Sequence, residues 1–298
     1  MSLFPFPLKE RARYDVPLPN RAALSLGPRT LVMGVINVTP DSFSDGGVRF
    51  DPSRAVEDGF RMIDEGADII DVGGESTRPG ADALDAEEEL RRVLPVVEQL
   101  ASGSAVVSVD TYKAVVAREA VARGASIVND VSGFLFDGDL PQVVAETAAA
   151  VVLMHNRGRS RDMYREASYT NVTTEVMREL EQAIARAIDA GVSRESIIID
   201  PGLGFSKRAE HSYEILSNLQ ALAALDRPIL CGVSRKSFLT AAVGQKIPIE
   251  REWATASATT ASVLFGAHIV RVHRVREMVD VVRVADTILA ARRDNLPL

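Results

Sequence analysis

Eight short apolar runs recur along the chain, and most are separated by a longer segment in which apolar residues return with a helical period. The runs are rich in β-branched residues and bounded by turn residues, a pattern typical of parallel strands that are covered on both faces. They are “LVMGVI” (31–36), “ADIIDV” (67–72), “AVVSV” (105–109), “ASIVN” (125–129), “AAVVLM” (149–154), “SIIID” (196–200), “PILCGV” (228–233) and “AHIVRV” (267–272). The pattern predicts eight parallel strands joined by crossover helices.

Eight strand and helix units in a chain of 298 residues predict an α/β protein of the (β/α)8 TIM barrel class. We assign the barrel to residues 30–292 and treat residues 1–29 as a short N-terminal extension of a single-domain chain. An open, doubly wound sheet is the alternative topology. No Gly-x-Gly-x-x-Gly sequence follows the first run, which weakens the dinucleotide-binding form of that alternative.

Polar residues stand at or just after the carboxyl end of every run. In a barrel all strands point the same way, so these residues should meet on one face, where barrel enzymes carry their active sites. They are Asn37, Asp41, Thr77 and Arg78 in “GGESTRPGA”, Asp110, Asn129, His155, Asp200, Ser234, Lys236, Arg271 and His273. The sequence therefore predicts one site, assembled from many strand ends.

Composition and charge exclude several classes of protein. The formal net charge is −7 and no run of Lys or Arg forms a basic stripe, so nucleic acid is not an expected partner. The single cysteine, Cys231, cannot form an internal disulfide, and no zinc-binding pattern is present, which favours a reducing compartment. We find neither a secretory signal nor an apolar run long enough to span a membrane. The expected location is cytoplasmic.

Three of the strand ends carry Asp110, Asn129 and Asp200. A buried carboxylate without a partner costs several kcal/mol or takes up a proton, so these groups need donor-rich partners. A helix cap or a turn would satisfy any one of them, but caps do not need to converge. An amino-pyrimidinone ring, whose adjacent N–H groups fit one carboxylate, is a partner that several such strand ends could bind together.

Two pairs of residues offer donors to an anion. Ser234 and Lys236 are two positions apart, so in an extended backbone they project to the same side while Arg235 points away. Arg271 and His273 have the same spacing, and both pairs suit a phosphate or a carboxylate. A solvated loop charge is the alternative for each. The loop “GGESTRPGA” is weak evidence by itself, and we interpret His155 as structural.

Taken in order, the motifs resemble those of the dihydropteroate synthase family of the folate pathway. The resemblance runs from about residue 31 to residue 273 through “MGVINVTPDSFSDGG”, “DVGGESTRPGA”, “SVDTYKAVVAREA”, “IVNDVSG”, “IIDPGLGFSK”, “GVSRKSFL” and “IVRVH”. It implies a (β/α)8 barrel, usually a homodimer. It also implies an enzyme that joins 7,8-dihydropterin-6-ylmethyl diphosphate to 4-aminobenzoate with the help of Mg2+, releasing 7,8-dihydropteroate and diphosphate.

The same resemblance implies a role for each matching residue. The pterin ring is expected to bind Asp110, Asn129, Asp200 and Lys236, and Mg2+ to bind Asn37. The diphosphate is expected to bind Thr77, Arg271 and His273, with Arg78 and Ser234 close to the diphosphate and 4-aminobenzoate. Phe205 belongs to the implied substrate pocket, and Asp41 and Ser234 to its loops. Asp110, Lys236 and Arg271 are the residues expected to act in catalysis.

The chain departs from the usual family pattern at a few positions, including Ser206, Arg274 and the segment 157–170. None of these is among the residues expected to hold the pterin. Two other functions remain open at this point. One is a catalytically silent pterin-binding paralogue, and the other is a pterin-dependent methyltransferase on the same barrel. The methyltransferase would need neither the “TPDSFSDGG” loop nor the two anion-binding pairs.

Overall fold

A parallel barrel dominates the computed structural model, which describes residues 11–39, 52–76, 80, 82–159, 164–165 and 167–293, with side chains described as far as residue 291. Its eight strands are β3 (Leu31–Asn37), β4 (Ile69–Gly73), β5 (Val106–Asp110), β6 (Ile127–Asp130), β7 (Ala150–Met154), β8 (Ile197–Asp200), β9 (Leu230–Cys231) and β10 (Ile269–Val272). Each lies within, or within one residue of, a predicted apolar run. The eight predicted strands are confirmed.

The strands form one sheet in the order β8-β7-β6-β5-β4-β3-β10-β9, with every pairing parallel. A parallel bridge between Ile199 and Ile229 links the two outer edges. The backbone N–H of Ile199 also donates to the carbonyl of Pro228 at 3.0 Å. The sheet therefore closes on itself, as the predicted (β/α)8 barrel requires, and the open-sheet alternative is wrong.

Helices cover the outside of the barrel. Those within the described residues are α1 (Pro52–Asp64), α2 (Ala86–Leu100), α3 (Ala114–Ala122), α4 (Leu140–Thr147), α5 (Val172–Asp189), α6 (Ala209–Ser217), α7 (Thr240–Val243), α8 (Glu252–Leu264) and α9 (Val275–Arg293). Short 3-10 helices lie at Arg194–Ser196, Leu219–Leu225, Ser237–Leu239 and Pro248–Arg251. The largest apolar cluster packs the outward side chains of the strands against these helices. In the described part of the chain, no helix combines the length and apolar character needed to cross a membrane.

An antiparallel hairpin of β1 (Tyr14–Leu18) and β2 (Arg21–Leu26) precedes the barrel. Its buried residues Val16, Leu18 and Leu26 form one apolar cluster with side chains from the beginnings of the barrel strands. The hairpin therefore covers the amino-terminal end of the barrel interior. The opposite end, where the strands finish, is left to the polar residues.

Strand register aligns several of those polar residues. Asn37 lies beside Gly73, Gly73 beside Asp110, and Asp110 beside Asn129. Adjacent parallel strands are about 4.8 Å apart, so Asp110 and Asn129 are direct neighbours and Asn37 is two strands from Asp110. The barrel thus holds these three side chains at one level of its carboxyl-terminal face.

Candidate functional site

A polar pocket opens at the carboxyl ends of the strands. Its lining residues are Asn129, Val131, Met154, Asp200, Gly202, Leu203, Phe205, Gly232, Lys236 and Arg271. Five residues predicted from the sequence are therefore in one place, although they belong to strand ends that are far apart in the chain. Asp110 adjoins this group through its ion pair with Arg271. The predicted convergence of the strand ends is confirmed for these six side chains.

Arg271 lies between two buried carboxylates. Its Nε donates to Asp71 Oδ2 at 2.7 Å, and its Nη2 donates to Asp110 Oδ2 at 2.7 Å. Asn129 joins the same cluster, because its Nδ2 donates to Asp71 Oδ2 at 2.8 Å. The side chains of Asp71 and Asp110 are 0% and 8% exposed. One guanidinium therefore supplies the countercharge for two carboxylates that water barely reaches.

Burial favours the uncharged forms of the ionisable side chains around the pocket. It raises the pKa of Asp110 to about 7, with Arg271 opposing the shift and Asp71 adding to it. It also raises the pKa of Asp200. Lys236 moves the other way, because burial lowers its pKa to about 8 despite the nearby carboxylates of Asp200 and Asp110. Groups that change charge close to neutral pH are characteristic of functional sites.

A tight turn holds Asp200 at the end of β8. The backbone N–H of Gly202 donates to Asp200 Oδ1 at 2.7 Å, and that of His155 donates to the Asp200 carbonyl at 2.9 Å. Gly202 has φ +67°, and a Cβ there would lie 2.0 Å from the carbonyl oxygen of His155. Only glycine fits this close approach. The turn fixes the carboxylate of Asp200 beside the pocket.

Lys236 lies over the ring of Phe205, with its Nζ 3.8 Å from the ring centroid. This places an ammonium group and an aromatic face together on one wall of the pocket. Ser234 is directed elsewhere, since its Oγ is 2.9 Å from Nδ1 of His273. The two predicted anion-binding pairs are therefore divided: Lys236 and Arg271 line the pocket, whereas Ser234 and His273 contact each other.

The extended backbone predicted for residues 234–236 is wrong. Strand β9 ends at Cys231, and Arg235 has φ +59°, in the left-handed region. The prediction that Arg235 points away is nevertheless correct. Its Nε donates to Glu252 Oε1 at 2.6 Å, at the start of α8. A turn, and not strand alternation, separates these side chains.

His155 belongs to a buried network behind the pocket. Lys207, 1% exposed, donates from Nζ to His155 Nδ1 at 2.8 Å and to the carbonyls of Gly202 and Phe205 at 3.0 Å. His155 Nε2 lies 2.9 Å from Glu179 Oε2. Burial lowers the pKa of His155 to about 4 and that of Lys207 to about 7. These contacts fix the turn that carries Phe205, in agreement with the structural interpretation of His155.

The unusual residue Ser206 adopts φ +47°, a left-handed conformation in which glycine is favoured. Its hydroxyl donates to Asn156 Oδ1 at 2.6 Å and accepts from the backbone N–H of Arg157 at 3.1 Å. These hydrogen bonds offset part of the strain. They also join Ser206 to the residues that follow β7.

Asn37 is the predicted magnesium ligand. It ends β3 at the pocket face, is partly exposed, and offers one amide oxygen. In the described ranges no cluster of three or more His, Cys, Asp or Glu side chains could hold a metal ion. Mg2+ commonly keeps several waters and binds one or two protein oxygens together with substrate phosphates. The single ligand Asn37 fits that mode and does not fit a metal cage made by protein alone.

Sequence reasoning missed Asp71 and Lys207. Asp71 lies inside an apolar run, and the presence of a second charged residue in that run was the signal that could have identified it. Lys207 follows “GLGFS”, and nothing in this local pattern signals that its side chain is buried. Three predicted residues, Asp41, Thr77 and Arg78, lie outside the described part of the chain.

Comparison with known proteins yields a consistent set of similarities. A family model described as “Pterin binding enzyme” matches residues 33–273. The dihydropteroate synthase of Mycobacterium leprae is 47% identical, over 90% of this chain and 96% of that protein. The structure of Burkholderia cenocepacia dihydropteroate synthase complexed with 7,8-dihydropteroate superimposes with a TM-score of 0.86 at 38% identity, covering 95% of this chain and 99% of that one. The Xanthomonas albilineans dihydropteroate synthase with 4-aminobenzoic acid gives 0.83 at 41% identity, covering 92% and 96%.

Proposed function

Because this chain belongs to the dihydropteroate synthase family of pterin-binding enzymes, we propose that it joins 7,8-dihydropterin-6-ylmethyl diphosphate to 4-aminobenzoate. The products are 7,8-dihydropteroate and diphosphate. The observation that carries the proposal is the convergence of Asn129, Asp200, Lys236 and Arg271 on one pocket at the carboxyl ends of the barrel strands. Asn129 and Asp200 offer hydrogen-bond acceptors to a pterin ring, and Lys236 and Arg271 offer positive charge to an anionic substrate.

Asp200 and Asn129 are the proposed ring-binding groups. The amino-pyrimidinone edge of a pterin presents adjacent N–H donors, which a carboxylate accepts in bidentate fashion. The Asp200 side chain is 6% exposed and its Oδ1 is already bonded to Gly202. Such a carboxylate is held in place before the ring arrives. Phe205 and Met154 supply apolar walls to the same pocket.

The proposed chemistry needs no nucleophile from the protein. The bond between the exocyclic methylene carbon and the diphosphate oxygen breaks, and its electron pair leaves with the diphosphate. The amine nitrogen of 4-aminobenzoate then forms the new C–N bond and loses a proton. Because the pterin ring can spread the positive charge on the methylene, a nearby carboxylate such as Asp110 stabilises the transition state. Arg271 and Lys236 are the described cations that can offset charge on the phosphate side.

Asn37 is the proposed ligand of Mg2+, which when bound would offset the negative charge of the diphosphate. We expect Asn37→Ala to raise the Mg2+ concentration needed for half-maximal activity, because the ion would lose its protein oxygen. A Mg2+ titration of initial rate at saturating substrates measures this change. The affinity for a pterin without diphosphate should stay unchanged. A titration curve that coincides with that of the parent protein would exclude Asn37 as the ligand.

The pH dependence should follow from Asp110 and Lys236. Asp110 stabilises the cation only when ionised, so activity should fall as pH drops below about 7, the value to which burial raises its pKa. Lys236 is cationic only below about 8, so activity should also fall above that pH. We therefore expect a bell-shaped profile of kcat/KM, which reports groups of the free enzyme. A flat profile between pH 6 and 9 would contradict these assignments.

Incubation of the purified protein with both substrates and Mg2+ tests the proposed function. Formation of dihydropteroate, followed by chromatography, is the expected result. Pterin binding without turnover would instead identify a silent paralogue. Methyl transfer from methyltetrahydrofolate to a corrinoid would identify the methyltransferase, and either outcome would overturn the proposal.

We further propose that the enzyme is a cytoplasmic homodimer. Ile247, Ile249 and Trp253 are 61%, 61% and 88% exposed and follow one another closely before and at the start of α8. Exposed apolar residues grouped in this way are characteristic of protein interfaces. Sedimentation velocity should give a dimer for the parent protein and a monomer for Trp253→Glu. A parent protein that is monomeric at micromolar concentration would contradict the dimer.

A further inference from the structure

Asp71 is the one fully buried carboxylate that contacts two residues of the pocket at once, among the residues the structure describes. It lies inside β4 with 0% of its side chain exposed. Its Oδ2 accepts from Asn129 Nδ2 at 2.8 Å and from Arg271 Nε at 2.7 Å. Its Oδ1 has no hydrogen-bond partner in the described part of the chain. One oxygen of one residue thus anchors two of the proposed substrate-binding groups.

The contact with Asp71 decides which way the Asn129 amide faces. An ionised carboxylate can only accept hydrogen bonds, so the amide nitrogen of Asn129 must face Asp71. The amide oxygen of Asn129 is then directed away from Asp71 and is free to face a ligand, since Asn129 lines the pocket. Asp71 therefore presents Asn129 to a ligand as an acceptor, which is the polarity that the N–H donors of a pterin require.

Asp71 also holds Arg271 independently of Asp110. The guanidinium uses Nε for Asp71 and Nη2 for Asp110. If Asp110 takes up a proton or turns toward the pterin cation formed as diphosphate leaves, Nε of Arg271 can still donate to Asp71. Arg271 can then keep its place while its partner changes. A second carboxylate is what makes this possible, because a guanidinium paired with Asp110 alone would lose its only partner.

We propose that Asp71 is a positioning residue of the synthase reaction, which orients the Asn129 amide and retains Arg271 at the pocket without touching the substrate. The proposal rests on the proposed function. Asp71 is absent from the residues that line the pocket, so its effect must pass through its two partners. Loss of its charge should weaken pterin binding, and leave the site for 4-aminobenzoate largely unchanged.

The test is Asp71→Asn, which keeps the shape and removes the charge, compared with Asp68→Asn. Asp68 lies just before the same strand, at the opposite end of the barrel, where it accepts from Arg29 and from the backbone N–H of Val32. We expect Asp71→Asn to weaken pterin binding in calorimetry by about tenfold or more, with KM for 4-aminobenzoate unchanged within about twofold. Asp68→Asn should leave both values unchanged. Pterin affinity equal to that of the parent protein would overturn the proposal.

A pH profile separates positioning from a general loss of stability. The charges of Arg271, Asp71, Glu89 and Lys236 all act on Asp110, and that of Asp71 contributes to raising its pKa. Removing the charge of Asp71 should therefore shift the acid limb of kcat/KM to lower pH, which a purely structural role would not do. An acid limb that stays in place would count against the proposal.

The parent protein supplies a second measurement in case Asp71→Asn does not fold. The side-chain amide protons of Asn129, assigned by their loss in Asn129→Ala, should exchange slowly with solvent both without and with a bound pterin. Rapid exchange in either state would overturn the proposal. Absence of turnover by the parent protein would refute the proposed function instead, so the two failures are distinguishable.

Discussion

Replacement of Asp200 by alanine should lower the affinity for a pterin by about 100-fold, because two charge-assisted hydrogen bonds of about 1.5 kcal/mol each are lost. The paired N–H donors of the ring would then be buried without an acceptor. Asp200 lines the pocket and is only 6% exposed, so water cannot readily take its place. Calorimetric titration with a pterin that lacks the diphosphate measures this loss without requiring turnover.

Asp130→Asn is the matched control for Asp200→Ala. Asp130 is also a fully buried carboxylate at a strand end, but its oxygens accept from the backbone N–H groups of Ser132 and Phe134. Asp130→Asn should therefore lower the stability of the protein but keep its pterin affinity within about threefold of the parent value, because the partners of Asp130 belong to a loop and not to a ligand. Equal pterin affinities for Asp200→Ala and the parent protein would exclude Asp200 as a pterin-binding residue.

Replacement of Arg271 by alanine should destabilise the folded protein by about 3–5 kcal/mol at pH 8, the usual cost of leaving a buried charge without its partner. Asp71 and Asp110 would both lose their countercharge. The pKa of Asp110 already lies above its ordinary value, and Arg271, with a smaller contribution from Lys236, opposes a further rise. A raised pKa favours the folded state at low pH and the advantage is lost as pH rises. The destabilisation should therefore shrink as the pH falls below about 7.

Chemical denaturation at pH 5.5 and pH 8 measures this dependence, with Arg235→Ala as the control. Arg235 pairs with the single carboxylate of Glu252 and is partly exposed. Its loss should cost about 1 kcal/mol or less at both pH values. A destabilisation by Arg271→Ala that is the same at pH 5.5 and pH 8 would contradict the interpretation of Arg271 as a shared countercharge.

The strands and the face that carries the site could be predicted because both depend on local patterns. An apolar run such as “IIIDPG” shows its strand and its terminal carboxylate within a few residues. The partners of those carboxylates could not be predicted in this way. Arg271 and Asp71 are 200 positions apart, and they meet only because β10 and β4 pair with opposite sides of β3. For the same reason the sequence did not reveal the charge balance around Asp110.

Local backbone geometry set a second limit on what could be predicted from the sequence. The spacing of Ser234 and Lys236 indicated one shared direction, on the assumption that β9 continued through them. The strand ends at Cys231 instead, and the left-handed Arg235 turns the chain. Ser234 therefore contacts His273 while Lys236 lies over Phe205. Side-chain alternation predicts direction only where the strand is paired, and β9 is paired for two residues.

A crystal structure with a non-hydrolysable pterin diphosphate analogue and 4-aminobenzoate tests the central claim most directly. We expect the amino-pyrimidinone edge of the pterin to lie within hydrogen-bonding distance of Asp200 and of the Asn129 carbonyl oxygen. Lys236 and Arg271 should contact the same ligand, and Asp71 should still accept from both Asn129 and Arg271. A pterin ring bound outside the pocket formed by these residues would contradict the account.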